Sequence, residues 1–230
     1  MTSRPMRGAA RRLTLPVRAL LAAVVVLATV GCSPRELVVL DGSELIAWES
    51  AEGGTAGQII VSITSAADAV VDPDVFGRDA QTSAVLLGAD GEPLPGASRI
   101  QLHAVPQTLE PGESGYLIAD FDVPSTVADI RVEIRADEAN PRPRIDVTGF
   151  TLVATDDGVG AEGLLEWDGS GSAVARGIAL DEDGQPIGFV GTSEVRYDAG
   201  AFTMCCFPPA VTRDSIAEVV VFGIQAIGES

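Results

Sequence analysis

The stretch Ala84-Val-Leu-Leu-Gly-Ala-Asp-Gly-Glu-Pro-Leu94 decides the fold, because its pattern returns 93 positions later as Gly177-Ile-Ala-Leu-Asp-Glu-Asp-Gly-Gln-Pro-Ile187. In both copies an apolar run meets Asp-Gly, and an apolar residue follows the proline. Asp-Gly between apolar runs is a strong hairpin signal. The repeat predicts two tandem copies of one small β domain. The alternative is one hairpin pattern that occurs twice within a larger sandwich.

Outside the two hairpins, short runs rich in Val and Ile alternate with clusters of Gly, Pro, Asp and Ser. This pattern is typical of an all-β chain. Thr64–Val71 is the one exception, with a possible helical spacing. The predicted strands are Ile59–Thr64, Ser83–Leu87, Arg99–Val105, Gly115–Val123, Ile130–Ala136, Asp146–Ala154, Gly163–Trp167, Ala173–Leu180, Glu194–Tyr197, Phe202–Phe207 and Ala217–Gln225.

The N-terminus carries a different signal. Five arginines and no acidic residue precede Gly31, and the apolar run Ala19–Val30 has 12 residues. A bilayer span needs about 20 residues, so this run predicts a secretory signal peptide rather than a membrane helix. Gly31-Cys32, followed by Ser33-Pro34, resembles a bacterial lipoprotein lipobox. The resemblance implies that Cys32 is lipidated, with palmitate among its acyl chains, and becomes the mature N-terminus.

These signals divide the chain into five predicted parts. Asp137–Arg144 is polar and proline-rich, which is typical of a linker or exposed loop. The parts are a lipoprotein signal peptide (1–31), an anchor and spacer (32–57), a first β-sandwich domain (58–138), a linker (139–145) and a second β-sandwich domain (146–230).

The order of strands and turns resembles the FxLYD-type extracytoplasmic domains of bacterial envelope proteins. Leu109-Glu-Pro-Gly-Glu113 matches that family's turn, and Asp181 takes the place of its motif aspartate. Ala84 and Gly177 stand where the family has Phe. The resemblance implies two immunoglobulin-like β-sandwiches and transfers no catalytic residue.

Charge limits the possible partners. The chain has 33 acidic and 15 basic residues, and all 15 basic residues are Arg. Removal of residues 1–31 leaves 10 basic residues and a formal charge of −23. Nucleic-acid binding needs clustered cations, so we expect no nucleic-acid partner. Without Lys, Walker A phosphate binding and Schiff-base chemistry are excluded.

Catalytic motifs are incomplete in this chain. The single histidine, His103, alternates with Leu102 and Ala104, which predicts the polar face of a strand. Gly158-Val-Gly160-Ala-Glu-Gly163 has the letters of a dinucleotide fingerprint, but the residues after it break any helix and its neighbours are acidic. We therefore predict a hairpin loop there, and we expect no catalytic residue.

Two further groups leave alternatives open. The acidic turns at Asp72-Pro-Asp74 and Asp181-Glu-Asp183 suggest calcium, although turn chemistry explains Asp-Gly better, so we expect no metal and no cofactor. The aromatic residues fit either a core or a carbohydrate surface, and the core is favoured; they are Trp48, Tyr116, Trp167 and Tyr197.

Cys205 and Cys206 are adjacent, so three states are compatible with the sequence. They are a vicinal disulfide, two free or partly buried thiols, and a soft-metal or redox site with Met204. An oxidising compartment makes the disulfide possible.

The sequence thus predicts a lipid-anchored protein on the outer face of the cell membrane. It would be a non-catalytic binding or scaffolding module whose partner is an envelope protein or a glycan, with the bilayer contacted through Cys32. The alternative is an envelope thiol-redox or metal-dependent protein that uses the vicinal cysteines or the acidic loops.

Substitution of Cys32 tests the predicted anchor. In the native host, Cys32→Ser should move the chain from the membrane fraction to the soluble fraction and abolish labelling with radioactive palmitate, because lipidation needs the thiol. Cys205→Ser, which keeps Cys32, should leave both readouts unchanged. A Cys32→Ser chain that still takes up palmitate would contradict lipidation at this residue.

Overall fold

A computed structural model describes residues 37–50, 53–73, 82–95, 99–167, 172–191, 195–196 and 200–225. Within these ranges the chain is all-β, as the sequence predicts, and its one helical turn is a 3-10 turn at Arg213–Ser215. The strands are β1 Val38–Glu49, β2 Thr55–Ser65, β3 Val71–Asp72, β4 Ser83–Leu87, β5 Ile100–Gln101, β6 His103–Val105, β7 Ser114–Val123, β8 Asp129–Glu133, β9 Asp137–Glu138, β10 Arg144–Thr155, β11 Gly158–Glu166, β12 Ser172–Leu180, β13 Pro186–Gly191, β14 Val195–Arg196, β15 Ala201–Met204 and β16 Glu218–Gln225.

The first half of the chain, β1 to β9, consists mainly of two sheets. One has the strand order β1-β2-β7-β6, and the other has the order β5-β4-β8. All neighbouring strands in these sheets are antiparallel. The inward residues alternate along β2 and β7, and they include Ile59, Val61, Leu117 and Ala119. The alternation is that of strands with two distinct faces.

The second half, β10 to β16, is built around a strand that changes partners. Arg144 and Ile145 of β10 pair with β16, which pairs with β12, and β12 also pairs with β13 and β14. From Asp146 onward β10 pairs with β11, which in turn pairs with β15. Pairing breaks between Thr148 and Thr151, around Gly149, whose φ of 60° suits glycine. This bend lets the strands surround one core, as in a β-sandwich.

The two repeated motifs form the same hairpin. Leu87 pairs with Pro93, and 93 positions later Leu180 pairs with Pro186. In each turn the glycine after Asp has a positive φ, 77° at Gly91 and 74° at Gly184. The amide of each glycine donates to the carbonyl three positions earlier, at Gly88 and at Asp181. Both hairpins predicted from Asp-Gly are therefore present.

A third core joins the two halves, and we call this contact the seam. Ile60, Val105 and Ile118 lie on the outer face of the β1-β2-β7-β6 sheet and pack against residues of β12, β13 and β16. Their partners are Ile178, Leu180, Phe189 and Ile224. Residues 34–230 accordingly form one compact unit. β2 is central because Ile59, Ile60, Val61 and Ile63 are at most 1% exposed, so both faces of the strand are buried.

Three local predictions were wrong. The sequence of the region assigned to the spacer predicts two short strands, Glu36–Leu40 and Leu45–Trp48, but the structure has one strand there, β1, which pairs with β2. Gly158–Gly163 is not a loop, because β11 begins at Gly158 and continues to Glu166. Residues 66–70 form bends and coil instead of a helix. In the first two cases pairing with a neighbouring strand decides the conformation, and local composition does not report that pairing.

The predicted linker is fixed to the first half by hydrogen bonds. The amide of Ala139 donates to the carbonyl of Val70, and the amide of Arg142 donates to Oγ1 of Thr108. The Arg142 guanidinium also lies 3.0 Å from an Asp72 carboxylate oxygen. Arg144 then makes a bidentate pair with Glu113. Residues 139–145 therefore run along the first half in a defined path.

The signal peptide and Cys32 lie outside the described residues. Within the part of the chain that the structure describes, no helix is long and apolar enough to cross a membrane.

The Glu113–Arg144 pair predicts a pH dependence of stability. Burial alone would raise the pKa of Glu113, but hydrogen bonds from the Arg144 side chain and the Glu110 amide lower it below the ordinary 4.5. A lowered acid pKa stabilises the fold above about pH 4.5, and the contribution is lost as the pH falls through the folded-state value.

Glu113→Gln should therefore reduce the free energy of unfolding at pH 7 by up to about 1 kcal/mol, the range of partly exposed ion pairs. The difference from wild type should shrink as the pH falls below 4.5 and the Glu113 carboxylate becomes protonated, as measured by denaturant unfolding. Glu138→Gln, at an exposed position of β9, is the matched control and should change little. A Glu113→Gln deficit that does not shrink as the pH falls below 4.5 would contradict the charge explanation.

Candidate functional site

A cleft of about 370 Å³ opens at the seam. Its size falls within the range of small-molecule sites. β2, β6 and β7 of the first half supply part of the lining, and β12, β13 and the segment after β15 supply the rest. The lining residues are Gln58, His103, Ile118, Ala119, Asp120, Arg176, Phe189, Val190, Gly191, Cys205 and Cys206.

Gln58 builds the floor of the cleft by joining the two halves. Its Nε2 donates to the carbonyl of Phe189 at 2.9 Å, and its Oε1 accepts from the amide of Phe189 at 2.8 Å. The side chain thus pairs with the β13 backbone as a neighbouring strand would. Nε2 also lies 3.1 Å from Oδ1 of Asp120, so the same amide orients the carboxylate at the cleft. Gln58 is 6% exposed, and its polar atoms are satisfied within the protein.

Arg176 brings a cation into the cleft of an acidic protein. It lies on the face of β12 that also carries Ile178 and Leu180, which belong to the seam core. Burial lowers the pKa of Arg176, and the Asp120 carboxylate opposes that effect. A guanidinium nevertheless stays protonated at neutral pH. The cleft therefore carries a negative charge, Asp120, on the wall from the first half and a positive charge, Arg176, on the wall from the second half.

Gly191 makes room for this guanidinium. A Cβ atom placed on Gly191 would overlap Nη1 of Arg176, and Cζ would lie 2.7 Å away. Gly191 and Arg176 are paired residues of β13 and β12, so the arginine side chain crosses over the glycine. The absence of a side chain at position 191 therefore leaves the space that the Arg176 guanidinium occupies.

The segment after β15 closes one side of the cleft. In the structure, Cys205 and Cys206 are joined as a disulfide. Cys205 is exposed and Cys206 is half-buried, whereas the next residue, Phe207, packs into the core of the second half. The hydroxyl oxygen of Thr155 lies 3.2 Å from Sγ of Cys206 and 3.6 Å from Sγ of Cys205.

The other residues singled out by the sequence fall in several places. His103 is exposed on β6, as its alternation predicts, and the structure also places it in the lining of the cleft. Met204 is fully buried in the core of the second half and is not among the residues that line the cleft. Trp48, Tyr116 and Trp167 are half-buried, and Tyr197 lies outside the described residues.

The acidic turns are occupied by interactions within the protein. Asp72 pairs with Arg142. Asp181 accepts hydrogen bonds from the amides of Asp183 and Gln185 through Oδ1, which is turn chemistry. Asp74 lies outside the described residues. Among the residues that are described, no group of three or more His, Cys, Asp or Glu could hold a metal ion.

Sequence reasoning missed Gln58, Asp120 and Arg176. A weak signal was present, because Gln58 and Arg176 interrupt otherwise apolar or small-residue strands. A polar residue in a strand buried on both faces needs a partner.

Replacement of Gln58 tests the junction. Gln58→Ala should lower the free energy of unfolding by about 1–3 kcal/mol, because the amide and carbonyl of Phe189 lose their partners in a buried place. Denaturant titration provides the measurement. Gln185→Ala, at an exposed turn position, should change it by less than about 0.5 kcal/mol. Equal effects of the two substitutions would show that the Gln58 pairing is unimportant.

No family model, no curated protein and no solved structure matches this chain.

Proposed function

We propose that this chain is a lipid-anchored, extracytoplasmic binding module of the bacterial cell envelope, without catalytic activity, and that the seam cleft is its binding site. The observation that carries the proposal is the make-up of the cleft. Apolar side chains of Ile118 and Phe189 form one part of its lining, and a few positioned polar groups form the rest. Ligand sites commonly combine these features at the junction of two folding units.

The cleft lining suits binding better than bond cleavage. Its charged groups are one carboxylate, Asp120, and one guanidinium, Arg176, while Gln58 is fully engaged in structural hydrogen bonds. The described lining contains no Ser, Thr or Tyr hydroxyl, and both of its sulfur atoms are in a disulfide. A complementary partner would place polar groups against Asp120 and Arg176 and apolar surface against Ile118.

In this proposal the two halves are tandem immunoglobulin-like domains, held at the outer face of the membrane by a lipid on Cys32. The matched hydrogen bonding of the two hairpins supports a duplication. The first domain would include β1, so that it begins at Val38 and not at residue 58. The partner would be another envelope protein, or a glycan of the cell wall.

Cross-linking on intact cells tests this function. The tagged full chain is cross-linked in its native host, purified, and analysed by mass spectrometry for a dominant envelope partner. His103→Trp and Asp120→Trp each place a bulky ring on an exposed rim position and should reduce recovery of that partner about tenfold, which corresponds to about 1.4 kcal/mol of binding free energy.

Arg131→Trp is the matched control. Arg131 is exposed on β8, in the sheet that covers the opposite face of the first half, so recovery should stay at the wild-type level. Equal loss or equal recovery for all three variants would contradict the cleft as the binding site. If wild type captures no protein, pull-down with isolated cell-wall glycan distinguishes a glycan ligand from the failure of the binding proposal.

A further inference from the structure

The two cysteines of the disulfide at the cleft differ in their surroundings, and this difference bears on their reactivity. Cys205 is exposed, whereas Cys206 is half-buried. The Thr155 hydroxyl lies closer to Cys206 Sγ, at 3.2 Å, than to Cys205 Sγ, at 3.6 Å. Because a disulfide sulfur carries no hydrogen, the hydroxyl is the donor in either contact. The two sulfurs therefore differ both in access and in hydrogen bonding.

We propose that Cys205–Cys206 is a thiol–disulfide exchange site of fixed direction, with Cys205 as the attacked sulfur and Cys206 as the leaving thiolate. The co-reactant is a small-molecule thiol that enters the cleft. The proposal goes beyond partner binding and does not depend on it. Three separate observations support the exchange site: the exposed Cys205, the Thr155 hydroxyl beside Cys206, and the cleft that both cysteines line.

Thiol–disulfide exchange replaces one S–S bond with another. The thiolate of the incoming molecule attacks Cys205 Sγ, a new S–S bond forms there, and the bond between the two protein sulfurs breaks. The electron pair of the broken bond stays on Cys206 Sγ as a thiolate. Attack by this thiolate on Cys205 Sγ reverses the step and releases the small thiol. No external oxidant or reductant is consumed in the exchange.

The surroundings favour charge on Cys206. The Thr155 hydroxyl also lies 3.1 Å from the carbonyl oxygen of Gly158, so in the disulfide state its single proton has competing acceptors. A thiolate is the strongest acceptor of the three and would take that proton. Arg176 lines the same cleft, and a nearby cation stabilises a thiolate. A stabilised thiolate is a better leaving group, which speeds exchange.

The direction of exchange can be determined from a single tryptic peptide that contains both cysteines. Full-length protein in detergent is treated with glutathione at neutral pH and trapped with N-ethylmaleimide. Trypsin then cuts after Arg196 and Arg213 and releases residues 197–213, which contain both cysteines. Fragment ions that separate positions 205 and 206 should show glutathione on Cys205 and maleimide on Cys206. The reverse labelling, or an even distribution of the two labels, would overturn the proposed direction of exchange. If the folded chain forms no adduct but the unfolded chain does, the proposed exchange site is overturned.

Thr155 gives a second test. Thr155→Val should slow adduct formation about threefold to tenfold, because the leaving thiolate loses its hydrogen bond and becomes a poorer leaving group. Thr155→Ser should restore the rate, which a loss of packing alone would not explain. Thr151→Val, at an exposed position on the same strand, should react like wild type. A wild-type rate for Thr155→Val would remove Thr155 from the proposal.

Discussion

The burial of β2 on both faces is the constraint on which the rest of the structure depends. Ile59, Val61 and Ile63 face the core of the first half, and Ile60 faces the seam. A strand of this kind needs a layer of protein on each side, because apolar surface left in water costs about 25 cal/mol per Å². The second half supplies one of those layers, so the seam follows from the composition of one strand.

This arrangement also explains why a site exists. The cleft lies beside the apolar contact between the two halves, and its walls come from both of them. The sheet faces that form the seam core also carry Asp120 and Arg176, because residues two apart on a strand point the same way. The charged cleft thus continues the apolar seam along the same rows of side chains.

The elements could be predicted from the sequence far better than their assembly. Both Asp-Gly hairpins and the β12 and β16 strands follow from local turn chemistry and from β-rich runs. β1 was predicted only as two short strands and the first residues of β11 were missed, because Gly42 and Gly158-Val-Gly160 are poor strand formers that owe their conformation to paired neighbours. At least 56 positions along the chain separate any two of the residues Gln58, Asp120 and Arg176, so no local spacing could associate them. The cleft is a property of packing between distant strands, which a single sequence does not record.

The hydrogen bonds of Gln58 to the β13 backbone also specify how the halves are aligned. An amphipathic strand fixes its own register, since a slip of one residue would turn its apolar face to water. Most of β2 is apolar on both faces, so hydrophobicity alone barely distinguishes one alignment from the next. A slip would set Gly57 or Ile59 against Phe189 and leave a buried amide and carbonyl unpaired. The hydrogen bonds of this one glutamine thereby select a single alignment of the two halves among several that would bury similar amounts of apolar surface.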